Sequence, residues 1–357
     1  MASRSSPAIS SDDARKRPGT VLVVDDSAVS RLIVQRVVDK TGDLRVAGHA
    51  VSAEDALHKL RTISADLVIL DIEMPGLSGI DALPDIIRES GNAPILIVSS
   101  HCQEGAEASV RAMAMGASDI VLKPDRPEAN EQFAAVLTQK MYRLVDHDVR
   151  DDVNVSHHSA IAPSEQPIRC LAIGASTGGI HALSTFFSSL PDAFSVPILV
   201  TQHLPADFMI YFARQLAAIS GRKASPARDG RLLRSGEIVV APGDAHLALE
   251  RGDDGVRVAL DRTPVPGGVC PSVDIMLSSV ADTYGDRALG VVLTGMGRDG
   301  ARGAERLVRA GGEIVAQDSE SAVIWGMPGA VARQGIASLV AAPSELAAHA
   351  AKREGSV

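Results

Sequence analysis

The sequence predicts an α/β protein built on two doubly wound parallel sheets, each covered by helices on both faces. Three observations carry that expectation. The chain of 357 residues is long for one compact core, so two domains are expected. Short apolar runs without polar alternation recur along it, as strands buried on both faces require. Helix-length segments separate those runs, the spacing that parallel crossovers need.

In the first half the runs are "TVLVVDD", "ADLVILDIEMP", "PILIVSS" and "DIVLKP", with "AVSRLIVQRVVDK" as an early amphipathic segment and "ANEQFAAVLTQKMYRLV" as a closing helix. Residues 1–19 are polar and are expected to form a disordered leader, and residues 20–146 the first domain. Residues 147–166, polar, aperiodic and carrying Pro163 with Pro167 directly after them, read as a linker. Residues 167–352 form the second domain. Its strands are "RCLAIGAS", "VPILVTQHLP", "LGVVLTGMG" and "EIVAQD", alternating with the helices "SVDIMLSSVADTYG" and "GARGAERLVRAGG". Between them "RSGEIVVAPGDAHLALERGDDGVRVALDR" alternates and carries turn signals, which suggests antiparallel hairpins inserted at the sheet edge.

Composition narrows the function. Thirty-five basic against 44 acidic residues give a net charge of −9, spread along the chain, so nucleic acid is not an expected partner. The C-terminal "SLVAAPSELAAHAAKREGSV" supplies no basic recognition helix. Cys102, Cys170 and Cys270 are far apart and odd in number, which fits a reducing, cytoplasmic setting rather than a disulfide or zinc framework. No apolar run approaches the roughly 20 residues that span a bilayer, so no membrane insertion is expected.

At the strand ends of the first domain stand Asp25, Asp26, Asp71, Ser99 and Lys123. The carboxyl ends of a doubly wound sheet form one crevice near its switch point, so these side chains are expected to converge. Clustered carboxylates call for a cation, and hard oxygen ligands suit Mg²⁺. Alone, each aspartate is equally a helix cap. Together, "VLVVDDS", "LDIEMPGLSG", "VSS" and "LKP" closely resemble a response-regulator receiver domain, a flavodoxin-like sheet. The resemblance implies that Asp71 is the phosphoacceptor, that Ser99 and Lys123 sense the phosphate, and that Asp25, Asp26 and the backbone carbonyl of Glu73 hold Mg²⁺. Ile120 stands where receivers commonly carry a switch aromatic.

In the second domain "GASTG" fits both a nucleophile elbow and a glycine-rich dinucleotide loop. A dinucleotide would need an acidic residue near the end of the next strand, where His203 stands instead. Ser176, His203 and Asp299 end or follow three strands that can share one rim, and a serine becomes nucleophilic when an imidazole takes its proton and a carboxylate orients that imidazole. Singly, Ser176 reads as a turn residue, His203 as a hydrogen-bonded rim histidine and Asp299 as a cap, while His101, His181 and His246 read as structural or solvated.

The set "IGASTGG", "TQHLPADF", "APGDAHL", "PSVD", "LTGMGRDG" and "AQDSESAVIWGMPGAV" resembles the catalytic domain of the chemotaxis protein-glutamate methylesterases, a family in which a receiver precedes that domain. Leu204 and Cys270 depart from its usual methionine and arginine. The resemblance implies Ser176 as nucleophile, His203 as general acid–base, Asp299 as its orienting carboxylate, and Thr177 and Met296 as residues lining the site whose amides are possible oxyanion donors. It further implies hydrolysis of glutamate methyl esters and deamidation of glutamines on the cytoplasmic domains of methyl-accepting chemoreceptors. Control by a chemotaxis histidine kinase through Asp71 and an esterase without cofactor are implied as well.

Overall fold

Runs rich in valine, isoleucine and leucine become strands because both faces of each sheet are covered by helices. A computed structural model describes residues 18–100, 103–145 and 166–354. The expected leader up to residue 17, the expected linker up to residue 165, His101 and Cys102 lie outside the described residues.

The first unit runs β1 (Gly19–Val24), α1 (Ala28–Asp39), β2 (Leu44–Ala50), α2 (Ala53–Leu60), β3 (Leu67–Asp71), α3 (Gly79–Glu89), β4 (Ile95–Ser99), α4 (Gln103–Ala114), β5 (Asp119–Leu122) and α5 (Asn130–Val145). Its sheet has the order β2-β1-β3-β4-β5, all parallel. Ser27, Ser52 and Ser78 start α1, α2 and α3 by accepting the N–H of Ser30, Asp55 and Asp81, which satisfies an orphan donor of each first turn. The edge strand β2 is only partly buried, which explains why its "LRVAGHA" lacks the apolar signature of β3 and β4.

The second unit continues β6 (Cys170–Ala175), α6 (Gly179–Ser189), β7 (Ile198–Gln202), α7 (Met209–Ser220), β8 (Ala224–Pro226), β9 (Ile238–Val240), β10 (His246–Gly252), β11 (Gly255–Asp261), α8 (Val273–Tyr284), β12 (Ala288–Val292), α9 (Ala301–Arg309), β13 (Glu313–Gln317), α10 (Met327–Arg333), β14 (Leu339–Ala341) and α11 (Pro343–Arg353). Seven strands form one sheet in the order β14-β13-β12-β6-β7-β9-β8, and every pairing within it is parallel. The expected insertion differs in detail. A single antiparallel hairpin, β10–β11, makes its own two-stranded sheet, while short parallel strands β8 and β9 take the sheet edge. The stretch that looked like edge hairpins had already spent "EIVV" on β9, and the alternation of β10 buries one hairpin face on the neighbouring core.

Between the units α4 meets α6 and α7, and Met113 of α4 shares one apolar cluster with Phe208, Met209 and Phe212. Val323 and Ile324 pack against the core of the first unit. Burial of such side chains stabilises by about 1.5–3 kcal/mol each, so this contact is a substantial part of the fold.

Candidate active site

Strand register decides which residues meet. In the β6–β7 pair Ala175 lies opposite Gln202, and the His203 N–H donates to the Ala175 carbonyl at 3.1 Å. Ser176 and His203, each one residue farther on, therefore leave the sheet side by side. On the other flank the Ser176 N–H donates to Thr294 O at 3.0 Å, in the turn that leads from β12 to Asp299. The Gln202 amide, itself buried, donates to the Ser176 carbonyl at 2.9 Å and to the His203 carbonyl at 3.4 Å.

After Ser176 the chain turns sharply into α6. Gly178 sits at φ 74°, and a Cβ there would fall 2.6 Å from Val323 Cβ, so only glycine fits this turn. Its N–H donates to Ser118 O, 2.7 Å away in the first unit.

His203 Nε2 lies 2.8 Å from Asp299 Oδ2. Asp299 also accepts the N–H groups of Val273 and Asp274 at 2.7 and 3.0 Å, the Ser272 hydroxyl at 2.9 Å and the Gly300 N–H at 3.0 Å. Burial pushes the Asp299 carboxyl upward, but the hydrogen bond and charge of His203 and the donors at the start of α8 outweigh it and leave the group below the usual carboxylate range. An ionised carboxylate only accepts, so Nε2 carries the proton and Nδ1 is the nitrogen left for exchange. The Ser176 hydroxyl makes no hydrogen bond among the described residues.

Thr177 and Met296 flank these groups. Thr177 is buried and Met296 half-buried, and among the described residues no acceptor takes the backbone N–H of either. The Thr177 hydroxyl does not face the rim: it donates to Asp119 Oδ2 of β5 at 2.5 Å. That partner was not foreseen, because nothing in "GASDIVLKP" marks Asp119 as reaching another sheet. Ser272 and Gln202 were likewise missed as supports of the site, although both stand inside quoted motifs. His246 is buried, as a structural histidine should be, and its Nδ1 accepts the Ser272 N–H at 2.9 Å. His181 Nδ1 lies 3.1 Å from Ala114 O of the first unit.

In the first unit Asp25, Asp26 and Asp71 converge, with one carboxylate oxygen of each within 4.8 Å of the others. Lys123 Nζ donates to Asp71 Oδ2 at 2.5 Å and lies 3.1 Å from Asp25 Oδ2. Burial raises Asp71 above the usual range despite the lysine. For Lys123 burial works downward, but the bonds and charges of Asp71 and Asp25 prevail and hold it high. The Glu73 N–H donates to Asp71 Oδ1 at 2.9 Å. Ser99 is fully buried at the end of β4, and its hydroxyl donates to Gly105 O at 3.2 Å rather than to Asp71.

Residues 171–350 match the family model for the CheB methylesterase, and residues 21–134 match that for the response regulator receiver domain. The chain belongs to the CheB methylesterase family. It is 36% identical over 354 residues to a protein-glutamate methylesterase/protein-glutamine glutaminase of Nitrobacter hamburgensis, covering 92% of each chain. A protein of Caulobacter vibrioides with the same description, numbered 2, is 37% identical across 94% of this chain and 99% of its own. Among solved structures, the CheB methylesterase catalytic domain of Thermotoga maritima matches 52% of this chain and 98% of its own with a TM-score of 0.51 and 34% identity. This CheB-family chain therefore carries a receiver and a methylesterase domain in tandem, and among its described residues no helix is long and apolar enough to cross a membrane.

Proposed function

We propose that Ser176, His203 and Asp299 hydrolyse the methyl esters of glutamate side chains on chemoreceptors, and deamidate selected glutamines there, under control of phosphorylation at Asp71. One observation carries the catalytic part: the β6–β7 register sets Ser176 beside His203, while His203 is bonded to Asp299. Ser176 Oγ attacks the γ-carbonyl carbon, and His203 Nδ1 takes the hydroxyl proton. The tetrahedral intermediate collapses with cleavage of the bond to the methoxy oxygen, which leaves as methanol with that proton. Water, deprotonated by the same nitrogen, then cleaves the acyl-serine and releases glutamate. An amide follows the same course with ammonia as leaving group. The unengaged N–H groups of Thr177 and Met296 support their reading as oxyanion donors.

The division into a receiver at 20–146 and a catalytic domain at 167–352 is supported by the two sheets and the two matched ranges. In the receiver, Asp25, Asp26 and the Glu73 carbonyl would hold Mg²⁺, and the converging carboxylates fit a hard cation. Bound there, the ion supplies charge neutralisation for phosphoryl transfer to Asp71. Lys123, already on Asp71, is placed to follow the acyl phosphate, and Ser99 to reorient its hydroxyl toward it. A cytoplasmic histidine kinase is the phosphodonor this reading requires. The contacts of Thr177 and Gly178 with Asp119 and Ser118 support a receiver that covers the rim before phosphorylation.

Methanol release from methylated receptor, measured for the wild type and for S176A, tests the catalytic reading. The variant is expected to lose at least about a thousandfold in rate. Full activity in S176A would end it.

A further inference from the structure

Asp299 is fastened from two sides. Its carboxylate takes the Val273 and Asp274 N–H groups at the start of α8. In return, the first turn of α8 sends Asp274 to the start of α9, the helix that begins two residues after Asp299. The Gly303 N–H donates to Asp274 Oδ1 at 2.8 Å; burial, joined by the neighbouring Asp299 charge, outweighs that bond and holds the Asp274 carboxyl above the usual carboxylate range. Neither helix is capped by its own N-cap side chain: the N-cap of α9 is Gly300, which has none, and the hydroxyl of Ser272 before α8 goes to Asp299. Each helix thus takes its terminal acceptor from the other, where orphan N–H groups and the helix dipole favour a negative charge.

The exchange requires close approach of the two backbones. A Cβ at Gly303 would fall 2.7 Å from the Asp274 carbonyl oxygen, so the glycine lets α9 sit against α8. Upstream of Asp299, the exposed Arg298 accepts the Ala301 N–H at its carbonyl at 3.1 Å, so the turn that carries Asp299 is tied to the first residue of α9. The start of α9 therefore sets where Asp299 meets His203.

We propose that Asp274 is a positioning residue for the Asp299–His203 pair, acting through the N-terminus of α9. His246 extends the same seat: its Nδ1 accepts the Ser272 N–H, and its Nε2–H donates to Thr263 O at 3.0 Å. The proposal rests on the catalytic reading above.

The test compares D274A with D274N in the full-length protein, with kcat and KM for methanol release per folded molecule, the folded fraction being taken from circular dichroism. D274A removes the acceptor and is expected to lower kcat about tenfold or more with KM within about twofold, as misplaced catalytic groups do. D274N keeps an oxygen for the Gly303 N–H and is expected to stay within about threefold of the wild type in kcat. Wild-type kcat in D274A, or equal impairment in both variants, overturns the proposal. Should D274A fail to fold, D274L serves, since it keeps the side-chain volume but offers the Gly303 N–H no acceptor; a reduced kcat with KM held supports the proposal, and wild-type kcat overturns it. S176A, run alongside, separates the two failures: an active S176A strikes the catalytic reading, whereas an inactive S176A with an unimpaired D274A strikes this inference alone.

Discussion

The Thr177 hydroxyl donates to Asp119 Oδ2 at 2.5 Å, so the residue beside Ser176 is held by the first residue of β5, the strand that leads directly to Lys123 on Asp71. Four strand residues thus connect the proposed phosphorylation site with the catalytic rim. Lys140 of α5 holds the other oxygen of Asp119 at 2.5 Å, which keeps that carboxylate fixed toward Thr177.

Removing this contact should free the rim. A hydrogen bond to a charged group is worth about 1.5–3 kcal/mol, so D119A is expected to raise unphosphorylated methanol release roughly tenfold or more. The phosphodonor should then add less than it does to the wild type. Unchanged basal activity in D119A would show that the contact does not restrain the enzyme.

Phosphorylation should require Asp71 and a divalent cation. D71N is expected to lose all stimulation by a small phosphodonor while keeping its basal rate, and chelation of Mg²⁺ should do the same to the wild type. Stimulation of D71N equal to that of the wild type would remove Asp71 as acceptor.

The pH dependence of stability follows from Asp299. Its folded-state carboxyl lies below the usual value, so the stability it contributes is present above the unfolded value, near pH 4, and is lost as pH falls through the lower folded value. Urea denaturation of the wild type and D299N is therefore expected to show a constant gap at neutral pH that closes only below about pH 4. A gap that closes between pH 5 and 7 would contradict the ionised, multiply bonded carboxylate.

Gly178 provides a conformational test. Alanine in the left-handed region costs about 1–2 kcal/mol before any clash, and here its Cβ would meet Val323 at 2.6 Å. G178A should lower the melting temperature by several degrees, at roughly 2–4 °C per kcal/mol for a domain of this size. A variant melting with the wild type would mean that the turn relaxes freely.

Much of the molecule was legible because its signals are local. A strand buried on both faces, such as β3 or β13, must be apolar at every position, and the motifs "VLVVDDS" and "TQHLPADF" put polar side chains where such strands stop. The edge elements were less legible. β2 and β8 are partly exposed, which erases the apolar run that announces a strand, and β9, though buried, is only three residues long. The hairpin β10–β11 carried the right alternation, but nothing local states which sheet a strand joins.

The sequence by itself determined two parallel α/β units in order, the carboxylate crevice of the first, and the residue types at the strand ends of the second. Those properties follow from periodicity and from chemistry carried by single segments. Only the tertiary structure decided that β6 pairs with β7 in the register that sets Ser176 beside His203. It also decided that α8 and α9 trade Asp299 and Asp274, and that Asp119 reaches Thr177 across 58 positions. Each of these depends on where two distant backbones come to rest, a balance of burial and hydrogen bonding summed over the whole chain that no short stretch encodes.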